Sequence, residues 1–142
     1  MRPGWRGVLP VVTRIAERHP SRTVFTRFIP PRRPDRMPGS WRRYYERWRE
    51  LTLERMDSPL IELVPPLAAL APPAEVVDKR VYSPFSESEL SDLLRRRRID
   101  SLVMTGAETD VCVLDAVDLG YRVVLATDAL CSSVGRHARC VA

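Results

Sequence analysis

Residues 101–120 read SLVMTGAETDVCVLDAVDLG, and this stretch decides the fold. Its first part, SLVMT, is short, apolar and β-branched at two positions, and a glycine follows it, which predicts a buried strand. From Asp110 onward, apolar residues recur at roughly helical spacing until a second glycine, which predicts a helix with Thr109 as its N-cap. Cys112 therefore lies in the first turn of a helix, just past the carboxyl end of a strand.

The position of Cys112 has a functional and a structural interpretation. The free N–H groups and the dipole of a first helical turn favour a thiolate, and the same N–H groups can hold the oxyanion that forms when a thiolate attacks a carbonyl. A free cysteine is more often a small buried apolar residue. Position alone leaves both interpretations open, so the rest of the chain has to decide between them.

Strands and helices alternate along the chain. Strands are predicted at residues 23–28, 75–80, 101–105 and 122–127, and helices at residues 8–18, 40–56 and 110–119. This alternation predicts an α/β fold of three layers, α/β/α, with a mainly parallel sheet between helices. Ligands of such sheets bind beyond the carboxyl ends of the strands. Lys79, Cys112 and Asp128 all fall at or near such ends.

Three blocks of the sequence resemble the isochorismatase-like cysteine hydrolases, a family that includes nicotinamidases, carbamoylsarcosine amidases and ureidoacrylate amidases. The blocks are VDKRVYSPF at 77–85, GAETDVCV at 106–113 and GYRVVLATDA at 120–129, in the order and spacing of the family. The resemblance implies the Rossmann-like, isochorismatase-like fold. It also implies an amidohydrolase that cleaves a carbon–nitrogen bond, amide or ureido, in a small molecule through a cysteine thioester.

The resemblance also implies roles for individual residues. Cys112 is the nucleophile, and Lys79, the only lysine in the chain, is the cationic partner of its thiolate. An arginine would replace that compact ammonium poorly. The peptide bond between Ala107 and Glu108 is expected to be a non-proline cis bond, with the backbone N–H groups of Glu108 and Cys112 forming an oxyanion hole. Phe85 is a candidate substrate-binding residue, with core packing as its alternative role.

The chain departs from the family at both ends. The family's catalytic aspartate lies on a first strand for which this sequence has no match, and the chain ends at Ala142, soon after Asp128. We therefore expect a single, partial domain over residues 1–142 that lacks the first strand and the last strand and helix. Such a chain should have two unpaired interior strand edges and hydrolyse amides poorly. The alternative is a catalytically silent fragment, or a binding or regulatory protein of the same fold.

No metal or cofactor is predicted. Nicotinamidases carry aspartate and histidine metal ligands after their second strand, whereas residues 27–31 here contain no histidine. The two histidines, His19 and His137, have no partners at ligand spacing. The three cysteines, Cys112, Cys131 and Cys140, form no C-x-x-C pair, which indicates neither a zinc site nor a disulfide scaffold.

The net charge of +5 comes from arginines, which have explanations other than nucleic acid. The run at residues 95–98 closes a predicted helix, where cations complement the dipole. In WRRYYERWREL, residues 41–51, the aromatic residues and the leucine follow the spacing of a core-facing helical stripe. We predict no nucleic-acid partner, no membrane partner, a reduced cytoplasmic location, and a homo-oligomer for the full-length form.

Overall fold

The structure, a computed structural model, describes residues 3–132. The helices are α1 (Pro3–Arg18), α2 (Gly39–Arg47), α3 (Pro65–Ala68), α4 (Leu90–Arg96) and α5 (Asp110–Asp118). The strands are β1 (Val24–Phe28), β2 (Glu75–Lys79), β3 (Ser101–Ala107) and β4 (Arg122–Cys131). Short 3₁₀ turns lie between several of these elements. The α/β class predicted from the alternating pattern is confirmed.

The described strands form two separate sheets of two parallel strands each. In the first sheet β1 pairs with β2, so that Phe28 lies opposite Lys79. In the second sheet β3 pairs with β4, so that Ser101 lies opposite Arg122. Within the described residues each of the four strands has one hydrogen-bonded neighbour. Sheets of this size are consistent with the expected unpaired interior edges of β1 and β3.

Two apolar clusters join the sheets to the helices. The first contains Val8, Val12 and Ala16 of α1 together with Phe25 of β1 and Ala129 of β4. Helix α1 therefore packs against strands from both sheets, and it begins five residues earlier than the sequence predicts because Pro3 fits the first turn of a helix.

The second cluster lies around α4. Leu90, Leu93 and Leu94 of that helix pack with Val77 of β2 in the buried part of this cluster. Val24, Phe85, Ile99, Leu102 and Tyr121 surround it. Since Val24 belongs to β1 and Leu102 to β3, this cluster also spans the two sheets. Each of the three α4 leucines is 6% exposed.

Helices α4 and α5 each end in a turn, and the two turns have the same hydrogen-bond pattern. After α5, the N–H of Gly120 donates to the carbonyl of Val117 and that of Tyr121 to the carbonyl of Ala116, with Gly120 at φ 88°. This is the usual left-handed helix end that favours glycine. After α4 an arginine, Arg98, occupies the corresponding position at φ 54°. Each turn leads the chain directly into a strand.

Helix α2 is shorter than predicted. It ends at Arg47 instead of continuing to residue 56, and Trp48 leaves the helical conformation before a 3₁₀ turn over Arg49–Leu51. The predicted core-facing stripe is therefore wrong in part. Tyr45 is buried and Trp41 is half-buried, but Tyr44, Trp48 and Leu51 are exposed.

Candidate active site

The structure brings Cys112 and Lys79 together. The thiol sulfur of Cys112 lies 3.8 Å from Lys79 Nζ, and the cysteine is only 7% exposed. Both groups also contact the backbone carbonyl of Tyr82, which accepts from Lys79 Nζ at 2.7 Å and from Cys112 Sγ at 3.7 Å. The three groups form a triangle of a thiol, an ammonium and a carbonyl oxygen. Sequence reasoning predicted the first two members and missed the third, because a backbone acceptor carries no residue-type signal.

Helix α5 places the thiol. The first intrahelical hydrogen bond of this segment runs from the N–H of Val113 to the carbonyl of Thr109, so the Cys112 N–H belongs to the first turn, which has no intrahelical acceptor. Thr109 occupies the N-cap position as predicted, but its side chain makes no capping hydrogen bond. The N–H groups of the first turn are therefore not capped by the Thr109 side chain.

Strand β2 places the ammonium. Lys79 is the last residue of the strand, and its neighbour Asp78 projects to the other side, where its carboxylate accepts two hydrogen bonds from Arg27 at 2.8 and 3.0 Å. This alternation follows from the two-residue period of a strand. Asp78 is thus directed away from the thiol, as the sequence predicts. In the described part of the chain no carboxylate is hydrogen-bonded or ion-paired to Lys79 Nζ or Cys112 Sγ.

The predicted cis bond between Ala107 and Glu108 is wrong. The cis peptide bonds of the described residues both precede prolines, Pro72 and Pro73. The turn is made instead by two residues with positive φ, Gly106 at 110° and Glu108 at 55°. A non-glycine residue in that region is strained, and such strain is common at functional sites.

The predicted oxyanion hole is altered by the same turn. The Glu108 N–H donates to the carbonyl of Cys131 at 3.1 Å, so it is bound to β4 and not directed at a ligand. The bond extends the β3–β4 pairing into the turn. Of the two predicted donors, only the N–H of Cys112 therefore remains for an oxyanion.

Strand β4 differs from the prediction in its length. It continues to Cys131 through an irregular step in which Met104 pairs with Leu125 and Gly106 with Leu130. Asp128 lies within that step, inside the strand, and not at the strand's end as predicted. Near the end of β4, burial raises the pKa of the Cys131 thiol, and the negative charge of Glu108 adds to the effect. Cys131 is therefore a poor nucleophile near neutral pH.

Phe85 occupies a packing position. Its ring stacks on that of Tyr121 with centroids 6.0 Å apart, and it lies against the cluster around α4. Its backbone N–H donates to the hydroxyl oxygen of the buried Ser83, which fixes the loop that follows Tyr82. These contacts favour the packing alternative, and a role of Phe85 in substrate binding stays a prediction.

One groove lies beside the thiol and not at it. A cavity of about 470 Å³ runs between α5 and β4, where Leu114, Leu125 and Leu130 form apolar walls. Neither Lys79 nor Cys112 is among its lining residues. We place the candidate site at the thiol, because reactivity depends on the paired groups and not on cavity size. Residues 3–132 contain no group of three or more histidine, cysteine or acidic side chains arranged to hold a metal ion.

A comparison with protein-family models matches residues 8–139 to the isochorismatase domain. The chain belongs to the isochorismatase family. Within the family, it is 38% identical over 60 residues to a Bacillus subtilis (strain 168) protein named as the uncharacterized isochorismatase family protein PncA. That match covers 39% of this chain and 33% of the relative.

Solved structures share the fold of this isochorismatase-family chain. A cysteine hydrolase from Pseudomonas syringae pv. phaseolicola 1448A matches with a TM-score of 0.73 at 22% identity, over 92% of this chain and 63% of the other. An N-carbamoylsarcosine amidase from Thermoplasma acidophilum matches with a TM-score of 0.74 at 19% identity, over 94% of this chain and 75% of the other. At these identities the likeness establishes the fold.

The chain spans less than two thirds of the Pseudomonas structure and one third of the curated Bacillus relative. In the part that the structure describes, no helix combines the length and the apolar character needed to cross a bilayer.

Proposed function

We propose that this chain is a cysteine amidohydrolase that cleaves an amide or ureido bond of a small molecule through a thioester on Cys112. The observation that carries the proposal is the 3.8 Å contact between the Cys112 thiol and the Lys79 ammonium at the start of a helix. Nucleophilic cysteines of enzymes are found in such surroundings, beside a cation and at a helix N-terminus. Membership of the isochorismatase family supports the same chemistry.

The reaction proceeds by acyl transfer. The sulfur of Cys112 attacks the carbonyl carbon, the carbon–nitrogen bond breaks, and the departing nitrogen takes up a proton to leave as ammonia or an amine. Water then attacks the thioester carbonyl, which releases the carboxylic or carbamic acid and returns the thiol. The Lys79 ammonium stabilises the thiolate before the attack and is a proton donor within reach of the leaving nitrogen.

The oxyanion of the tetrahedral intermediate needs donors, and two are in reach of the carbonyl attacked by Cys112. One is the Cys112 N–H in the first turn of α5, and the other is the Lys79 ammonium. The Glu108 N–H does not join them while it is bonded to Cys131. The site therefore offers fewer backbone donors than the sequence predicts.

A second candidate function is a binding protein with a silent site. It is favoured by one observation: no carboxylate accompanies the thiol and the ammonium among the described residues. Loss of general acid–base catalysis typically lowers the rate of a reaction by about 10²–10⁴. We therefore expect acylation of Cys112 to be readily measured and amide turnover to be slow. A homo-oligomer and a cytoplasmic location also stay predictions.

Acylation by an activated ester tests the proposal directly. In a Cys140→Ser background, p-nitrophenyl acetate should place one acetyl group on Cys112 and leave Cys131 unmodified, as read by peptide mass mapping at pH 7. Cys112→Ser should lose the rapid acetylation, and Cys131→Ser should keep it, because burial raises the pKa of the Cys131 thiol. Lys79→Met should slow the acetylation of Cys112.

The outcomes separate the two candidate functions. Ammonia release from small amides or ureido acids that disappears in Cys112→Ser establishes the hydrolase. Acetylation of Cys112 without any release from such a panel favours the silent site. Preferential acetylation of Cys131, or equal rates for the wild type and Lys79→Met, would show that the thiol–ammonium contact does not activate Cys112.

A further inference from the structure

Trp41 contacts the loop residue that holds the Lys79 ammonium and the strand beside Lys79. Its ring lies 5.1 Å from the ring of Tyr82, centroid to centroid, and 6.3 Å from that of Phe28. Tyr82 provides the carbonyl that holds Lys79 and Cys112, and Phe28 is the strand partner directly opposite Lys79. One side chain of α2 is thus joined to the loop after β2 and to the strand beside it.

The Tyr82 carbonyl needs such support. The Tyr82 residue is 61% exposed, and within the described residues its ring has one aromatic neighbour, Trp41. A lysine side chain has four rotatable bonds, so its ammonium stays in place only if its acceptor stays in place. A movement of the loop at Tyr82 would release the ammonium from both the carbonyl and the thiol.

Trp41 is itself held on a rigid base. It stacks on Tyr45 at 6.1 Å with an interplanar angle of 20°, and Tyr45 is 2% exposed. Tyr44 meets the edge of the same ring at 6.0 Å. The buried Tyr45 therefore anchors Trp41, which projects from it toward Tyr82.

We propose that Trp41 is a positioning residue for the Lys79–Cys112 pair and acts through the carbonyl of Tyr82. Its consequence for catalysis rests on the proposed function, but its effect on the reactivity of the thiol does not require turnover. The role does not call for contact between Trp41 and the substrate. It also assigns a purpose to α2, which otherwise contributes no residue to the chemistry.

The test measures alkylation of Cys112 by iodoacetamide at pH 6.5 and pH 9 in the Cys140→Ser background. The nearby ammonium contributes most to the alkylation rate of Cys112 at the lower pH, so Trp41→Ala should lower the rate at pH 6.5 about fivefold. This is the size expected when a charge contact near 4 Å is lost in a water-like medium. At pH 9 the loss should be smaller. Trp41→Phe, which keeps a ring, should recover the rate to within about twofold.

Two further variants guard against a general loss of structure. Tyr82→Ala keeps the backbone carbonyl and removes an exposed ring, so it should reproduce the effect of Trp41→Ala while leaving the thermal midpoint nearly unchanged. Trp48→Ala is the matched control, because Trp48 directly follows the same helix, is exposed, and is contacted by the Arg47 guanidinium. It should behave as the wild type.

Lys79→Met separates this proposal from the proposed function. If Lys79→Met does not change the rate ratio between the two pH values, the thiol–ammonium pair is not what activates Cys112, and the proposed function fails. If Lys79→Met lowers the rate at pH 6.5 while Trp41→Ala and Tyr82→Ala do not, the pair stands and the positioning role of Trp41 is refuted.

Discussion

Leu93 is the residue whose truncation should reveal how the two sheets are held together. It lies on α4 and is 6% exposed, in the cluster that joins Val24 and Val77 of the first sheet to Leu102 of the second. The two sheets share no strand among the described residues, so apolar packing is the main connection between them. Leu93→Ala removes part of that packing without touching a hydrogen bond.

The expected loss can be worked from the atoms removed. Alanine has three fewer side-chain carbons than leucine, and at about 0.8 kcal/mol each the lost burial amounts to about 2.4 kcal/mol. A cavity that the surroundings fill incompletely adds to this, so we expect a fall of about 3 kcal/mol in the free energy of unfolding. With a urea slope of about 2 kcal/mol/M, the unfolding midpoint should fall by about 1.5 M.

The assay is urea unfolding followed by circular dichroism, with Leu60→Ala as the matched control. Leu60 is 72% exposed, so the same substitution there should change the free energy by less than about 0.5 kcal/mol. A fall of less than about 1 kcal/mol for Leu93→Ala would refute the reasoning, because it would mean that the cluster around α4 does not carry the connection between the sheets.

Two further predictions concern single side chains. Burial raises the pKa of Tyr45 to about 12. The stability that comes from its protonated form is therefore complete below pH 10 and is lost as the pH rises through 12. Tyr45→Phe should reduce the fall of the urea midpoint between pH 9.5 and pH 11.5, and an unchanged fall would mean that ionisation of Tyr45 does not cause it. Arg98 occupies a left-handed helix end at φ 54°, a conformation that glycine adopts more readily. Arg98→Gly should therefore raise the free energy of unfolding by about 0.5–1 kcal/mol in thermal melts. Arg96→Gly, inside α4, should lower it by a similar amount.

The strands and the thiol–ammonium pair could be predicted from sequence because their signals are local or topological. An apolar run before a glycine and an amphipathic run after it are enough to place Cys112 at the start of α5. Parallel strands end at a common edge, so Lys79 at the end of β2 is expected to lie near Cys112. Neither inference needs the detailed register of the strands, and both agree with the observed positions.

The parts that could not be predicted depend on contacts between distant segments. Helix α2 ends at Arg47 although the aromatic spacing continues, because the next residues turn back so that the N–H of Leu53 bonds to the carbonyl of Pro31. The turn at Glu108 is set by its bond to Cys131, whose position depends on the irregular pairing of β3 and β4. A single sequence does not show where a ladder changes register.

The arrangement of the two sheets decides how the site responds when the fold loosens. The ammonium of Lys79 comes from the first sheet, while the thiol of Cys112 follows the second. The pair therefore lies across the boundary between the two sheets. The two apolar clusters and the bonds to the Tyr82 carbonyl set the distance between the thiol and the ammonium.

Sheets of two strands have little stability of their own, and local opening follows the weakest connection in a structure. That connection is here the boundary between the sheets, because opening it breaks no strand pairing within the described residues. Opening would separate the ammonium from the thiol, and the two-stranded ladders that it leaves have little stability of their own. The reactivity of Cys112 should therefore be lost together with the circular dichroism signal as the urea concentration rises, and loss of reactivity at clearly lower urea would mean that the boundary opens while the ladders remain folded.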